Sequence, residues 1–313
     1  VLHLRAVCPP ETSKAALDVL QEHVGATHVV LFPGAAIQPA GDVIEADIAR
    51  EAADEILAVF CALGVDHTGG ITLDVIDTVM SDAADLAEHA SPGEAADAVV
   101  WEELVARTGE ESRLNVTYLA FLIIACLLAA VGVITDSPIT IVGAMVVGPE
   151  FGPLAAIAVG LVRGRWDLVR RASLALGLGF VVAIAVTAAG TWLGWTAGLF
   201  DASVIVGDHQ VDFVYKVGPW SLIVAVLAGA AGMLSMTSAK SAALVGVFIS
   251  VTTVPAAGYI AVAAILGEWQ KVLDSAGQLT INLLGIVLAA SAVLMVRRSR
   301  RFADDAARPL SPG

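Results

Sequence analysis

Residues 139–166 read ITIVGAMVVGPEFGPLAAIAVGLVRGRW, and residues 242–269 read AALVGVFISVTTVPAAGYIAVAAILGEW. Laid over one another at a shift of 103, the two stretches need no gap. Val142-Gly143 meets Val245-Gly246, Ile157-Ala158-Val159 meets Ile260-Ala261-Val262, and Gly164-x-Trp166 meets Gly267-x-Trp269. With Val169 on Val272, positions 141–169 hold eight identities. Apolar matches come cheaply in such a composition, but a Gly-x-Trp match does not, since the chain has only six Trp. We read the pair as an internal repeat.

The solvent around each part of the chain follows from its charge. The 313 residues are 57% hydrophobic, with a mean hydropathy of +0.81, too apolar for one soluble domain and long enough for two folding units. Residues 1–113 hold 21 of the 31 acids and five basic residues, a net charge of −16; the remainder nets +2. An acidic front half argues against nucleic acid, whose phosphates call for a basic surface. Cys8, Cys61 and Cys126 are too few and too scattered for a disulfide framework or a zinc site.

A spanning helix needs about 20 apolar residues. Leu114–Ile134, Ile139–Val162, Leu174–Trp195, Pro219–Met236, Ala242–Leu266 and Leu279–Val296 meet that requirement, giving six transmembrane helices over 114–296. Arg163, Arg165, Arg170 and Arg171 lie between helices two and three, Lys240 between four and five, and Arg297, Arg298, Arg300 and Arg301 in a basic tail, 297–313. Lys216 and Lys271 stand on the other side, among Asp136, Asp201, Asp208, Asp212, Glu268 and Asp274. The positive-inside rule then places both termini in the cytoplasm of a multi-pass protein of the bacterial inner membrane.

The repeated unit contains three spans, an odd number, so its second copy enters the membrane from the opposite face. The expected fold is a 3+3 inverted repeat. Proline interrupts the middle helix of each copy: Gly148-Pro149-Glu150-Phe151-Gly152-Pro153 in helix two, Thr252-Thr253-Val254-Pro255 in helix five. Proline inside a helix removes an amide donor and frees a carbonyl, which in lipid is tolerable only against protein or a watery cavity. Paired interrupted helices at the midplane point to a transport site. Glu150 stands about a dozen residues into its helix, and a carboxylate at such depth costs roughly 3 kcal/mol on insertion scales. It is the candidate proton-coupling residue. Gly148, Pro149, Glu150, Gly152, Pro153, Thr252, Thr253, Pro255 and Asn282 form the candidate substrate site. Ser235, Ser250 and Thr280 serve equally well as hydrogen-bond glue between helices.

Ahead of the membrane part, Leu2–Cys8, Thr27–Phe32, Asp42–Ile48 and Ile71–Ile76 read as strands, and Ser13–Val24 and Glu51–Leu63 as helices. The order β-α-β-β-α-β predicts an α+β ferredoxin-like cytoplasmic domain over 1–80, followed by an acidic helical linker over 81–113. His3, His23, His28, His67 and His89 show no ligand spacing, and no cofactor or metal is expected.

Gly132-Val133-Ile134-Thr135-Asp136-Ser137-Pro138-Ile139-Thr140-Ile141-Val142-Gly143-Ala144-Met145, with Gly148-Pro149 and Gly152-Pro153 after it, resembles the signature of the bacterial domain-of-unknown-function family 389. Leu244-Val245-Gly246-Val247 through Pro255, and Asn282-Leu283, resemble its later blocks, so the likeness covers roughly 114–296. Glu150 stands where the family more usually has an apolar residue, and Pro255-Ala256 where it has a double proline. The resemblance implies an integral membrane protein of oligomeric habit and supplies no substrate.

These readings lead to a secondary transporter of a small polar solute or ion, with a gated channel regulated by the cytoplasmic domain as the alternative. No zinc pattern, nucleophile elbow or acid pair in the spans suggests an enzyme. The expected partners are the lipid bilayer, the solute and further copies of the chain in a homo-oligomer such as a trimer.

Overall fold

In the computed structural model, which describes residues 1–76, 78–91, 98–206, 209–214, 218–238 and 253–306, the chain divides into two compact units. The first is built from Val1–Leu104; the second begins at Val105 and reaches Ser299. Ser250, Thr252, Asp208, Lys216, Lys240, the first half of the fifth expected span and the end of the tail lie outside the described residues.

Alternation shapes the first unit. Leu2, Leu4, Ala6 and Cys8 are buried along β1 (Leu2–Cys8), while the residues between them face the other side of the sheet. Next come α1 (Pro10–Glu22), β2 (Ala26–Ile37), β3 (Ala40–Ile48), α2 (Ala53–Ala62), α3 (Val65–Thr68) and β4 (Gly70–Val75). The sheet is antiparallel in the order β2-β3-β1-β4, and Ile44, Ala46 and Ile48 join the β1 face against Leu20, Ile56 and Phe60 of the helices. β2 runs five residues past its expected end at Phe32. It carries Pro33 at a register shift between Phe32 and Ala36, which an edge strand accommodates because proline has no donor to give the ladder. Four-residue α3 was not anticipated, being too short to show a helical period.

Much of the expected linker belongs to this unit. Ser81 caps α4 (Asp82–Ala90) by accepting from Ala84 N–H at 3.4 Å. At α5 (Trp101–Glu111), the Trp101 N–H donates to Asp54 Oδ1 at 2.8 Å, and Val100 is buried in the same core as β1.

The second unit is helical. Asn115 Oδ1 accepts from Tyr118 N–H at 2.7 Å and starts α6 (Val116–Ile134). Its buried stripe of Tyr118, Leu122, Ala125, Ala129 and Val133 follows the helical period, while Phe121, Ile124, Leu128 and Val131 are exposed apolar residues suited to lipid. Then follow α7 (Pro138–Val147), α8 (Phe151–Arg163), α9 (Trp166–Thr196), two short 3-10 turns (Ala202–Ile205 and Gln210–Val214), α10 (Pro219–Thr237), α11 (Thr253–Ile265) and α12 (Trp269–Ala306). Among the described residues, α6, α9, α10 and the Trp269–Arg298 part of α12 are long and apolar enough to cross a membrane. α7 and α8, bent by 55° at their break, are together long and apolar enough for a broken span or a re-entrant loop. The chain is a polytopic membrane protein.

Trp166, Asp167 and Leu168 form the first turn of α9. Contacts sort the loops into two ends. At one end the Asp136 carboxylate accepts from Val211 N–H at 3.2 Å and the Lys271 ammonium donates to the Ile205 carbonyl. At the other, Arg298 Nη1 donates to the Val162 carbonyl at 2.8 Å. α8 therefore finishes beside Arg298, and α11, running on to Lys271, finishes at the opposite end.

The candidate site at two helix starts

α7 stops where proline forbids it to continue. Gly148 takes φ −65° and ψ 127°, the extended conformation favoured before a proline, and Phe151 opens α8 at 55° to α7. Pro153 falls in the first turn of α8 and Pro255 in the first turn of α11, where a helix has no carbonyl for an amide to reach. Pro153 thus sits in the opening turn of a half-helix and frees no carbonyl in mid-helix, a correction to the sequence reading of helix two, while the chain before Thr253 lies outside the described residues. What the break exposes is the positive end of α8 and the carbonyl end of α7.

Glu150 is the residue before α8, yet its side chain makes no cap there. Its Oε1 accepts instead from Thr253 Oγ1, at the start of α11, at 2.5 Å. Both residues are 0% exposed. The length falls in the range of about 2.5–2.7 Å for a hydroxyl donating to a carboxylate. A charge-assisted bond of this kind contributes roughly 1.5–3 kcal/mol, comparable with the cost of placing the carboxyl at that depth. Their chain neighbours Phe151 and Val254 belong to one apolar cluster with Tyr118, Leu122, Cys126, Leu154 and Ala257. Gly258 lets α11 close on α6, since a Cβ there would lie 2.7 Å from that of Ala129.

Tyr118 is the residue that sequence reasoning missed. It is 5% exposed, and its hydroxyl has no hydrogen-bond partner among the described residues. Gly179 on α9 makes the room, because a Cβ there would stand 2.9 Å from Tyr118 Cε1. The available signal was a lone polar side chain on the small-residue stripe of α6. Asn282 is fully buried on α12 and accepts from Gln278 Nε2 at 3.5 Å; Ser275, one turn earlier, is buried on the same face. Thr280 is exposed and donates to the Ala276 carbonyl at 2.8 Å, so it stands apart. Gly148 and Pro149 form the break itself. Gly152 answers to packing: a Cβ there would meet the Glu111 carbonyl at 3.0 Å.

The repeated Gly-x-Trp has a conformational basis. Gly164 (φ 70°) and Gly267 (φ 80°) are both left-handed, a conformation glycine adopts without steric cost. Arg165 N–H donates to the Gly160 carbonyl at 2.8 Å, and Glu268 N–H to the Ala263 carbonyl at 3.0 Å, the same six-residue closure 103 positions apart. Val169 N–H reaches Arg165 O, and Val272 N–H reaches Glu268 O, at 3.2 and 3.1 Å. Trp166 and Trp269 each open a long helix and are largely exposed.

Above the α7 and α11 side of this unit, Ile205, Val211 and Val214 of the 3-10 turns pack with Ile141, Met145, Tyr259 and Val262. Ser137 Oγ caps α7, accepting from Thr140 N–H at 3.3 Å. In the first unit, His3 Nδ1 and His28 Nδ1 hold the two oxygens of Asp47 at 2.8 and 2.7 Å, and His28 Nε2 pairs with Ser81 Oγ at 2.9 Å. Burial pushes the Asp47 carboxyl up, but the two imidazoles more than offset it and hold it below the usual carboxylate range. No group of three His, Cys, Asp or Glu among the described residues has the geometry of a metal site.

Residues 145–288 match a family described as a domain of unknown function, DUF389. An uncharacterized protein of Methanocaldococcus jannaschii, MJ0678, is 24% identical over 194 residues, 61% of this chain and 58% of that one. The chain thus spans less than two thirds of that relative's length. No solved structure matches.

Proposed function

We propose that this chain, a member of the DUF389 family through residues 145–288, is a secondary transporter of a small polar solute. In this reading six spans form a 3+3 inverted repeat in the inner membrane, with both termini and the acidic domain in the cytoplasm. Glu150 takes up and releases a proton as the solute site alternates between the two faces. The observation that carries it is the buried Glu150–Thr253 bond between the starts of two half-helices. A carboxyl kept at such depth, with a hydroxyl supplied by the other half, is what a proton-coupled site requires. The matching turns at Gly164 and Gly267 support the repeat, and the opposite ends reached by α8 and α11 support its inversion. Exposed Trp166 and Trp269 suit interfacial anchors on opposite faces.

The test begins with a thermal-shift screen of the detergent-purified chain against amino acids, organic acids, sugars and inorganic ions. Each stabilising solute is then offered to proteoliposomes containing a pH-sensitive dye. Saturable uptake that acidifies the lumen, with the acidification lost in Glu150→Gln, supports the reading. Currents that grow linearly with solute, unaffected by that substitution, would establish a channel instead.

A further inference from the structure

We infer that Glu150 and Thr253 face each other across a pseudo-twofold axis relating the halves of the membrane unit, so that the chain has one carboxyl site serving both faces equally. This rests on the inverted-repeat reading above. The geometric reason is simple. Two points related by a twofold rotation are separated by twice their distance from the axis, so equivalent residues can touch only where the axis passes between them.

Glu150 and Thr253 are equivalent by the same shift of 103 that aligns Gly164 with Gly267 and Trp166 with Trp269. They are joined by a bond of 2.5 Å. The axis therefore passes between the two residues. The correspondence does not depend on that bond, because the turns at Gly164 and Gly267 repeat the same backbone closures far along the chain.

The chemistry explains why the two copies carry different residues at this position. Two glutamates on the axis would set like charges at hydrogen-bond distance, and one would have to keep a proton. Two threonines would leave no group to carry one. A glutamate facing a threonine gives one acceptor and one donor, with a single exchangeable proton per chain. If the halves trade conformations, this pair stays where it is while access to it changes. The carboxyl need not travel across the membrane.

The experiment is an exchange of the two side chains in the full-length protein, read as melting temperature in detergent. Glu150→Thr alone and Thr253→Glu alone should each lower it by about 5 °C or more. The double exchange, Glu150→Thr with Thr253→Glu, should return to within about 2 °C of the parent, since it rebuilds the same pair the other way round. A double variant as unstable as the worse single change, or more so, overturns the axis. A neutral version guards against misfolding caused by a displaced charge: Glu150→Gln should melt with Glu150→Thr/Thr253→Gln, and a gap of about 10 °C between them overturns the proposal as well. Transport is a separate readout. A parent that moves no solute, yet whose exchange restores stability, keeps the axis and refutes the transporter. A parent that transports, but whose exchange melts low, refutes the axis alone.

Discussion

Thr253 Oγ1 donates to Glu150 Oε1 at 2.5 Å across 103 residues of chain, the interval at which the sequence repeats itself. One bond thus joins the start of α8 to the start of α11 in a fully buried setting. Its weight in the fold can be measured directly.

Thr253→Val keeps the shape of the side chain and removes its donor. It should cost about 1–3 kcal/mol, the usual range for removing the donor from a buried hydrogen bond. Thr253→Ser, which keeps the hydroxyl, should cost much less. Thermal shift of the two variants side by side checks this; equal losses would mean that the methyl group, not the bond, matters.

Glycines at close contacts should behave differently from glycines facing open space. A Cβ at Gly258 would lie 2.7 Å from Ala129 Cβ and 3.0 Å from Ala130 N, whereas one at Gly177 meets nothing within 4 Å. Gly258→Val should therefore destabilise the chain by about 1–3 kcal/mol through overpacking. Gly177→Ala should stay within about 0.5 kcal/mol of the parent. Matching melting temperatures for both would contradict the packing of α11 on α6.

Acid should loosen the sheet of the first unit through Asp47. Its carboxyl lies below the usual range in the folded chain, so it contributes stability that is present above the unfolded value of about 3.9 and is lost as the pH falls through the folded value. Urea titrations of the full chain, followed by hydrogen exchange in β1 and β3, should show an acid-sensitive limb below about pH 4. Asp47→Asn should flatten that limb. An unchanged limb in the variant would remove Asp47 from the account.

The 3-10 turns should detach when their anchor is cut. Asp136, itself left-handed at φ 47°, accepts from Val211 N–H and lies 3.8 Å from His209 Nδ1, while Ile205 is 1% exposed beneath. A cysteine introduced at Ile205, in a background where exposed Cys61 is replaced by serine, should react slowly with a membrane-impermeant maleimide. Adding Asp136→Ala should raise that rate about tenfold, the response to a loss of roughly 1.4 kcal/mol in the closed state. Identical rates would show that the apolar contacts alone hold the turns down.

Elements of the first unit were legible where alternation or helical period ran for six residues or more. β1 matched at both ends and β4 to within one residue, while β2 runs on past Phe32 through Pro33, which sits at an edge-strand irregularity that no local pattern marks. At the membrane site, Glu150 announced itself by charge alone. Its partner was also within reach of sequence, since adding the repeat interval to 150 gives Thr253. Tyr118 and Gln278 were not legible, because which face of α6 or α12 turns inward depends on neighbours far along the chain.

By itself the sequence determined which stretches are long and apolar enough for a membrane, that the chain breaks at Gly148-Pro149 and that Gly164 and Gly267 form matching turns, because hydrophobic length, proline and left-handed glycine act within a few residues. Only the tertiary structure decided that the break after α7 begins a new helix at Phe151, that Thr253 donates to Glu150, and that Tyr118 is buried on the inner face of α6. Those outcomes depend on packing between segments about a hundred residues apart, where one shape among many fills the space without leaving a charge alone.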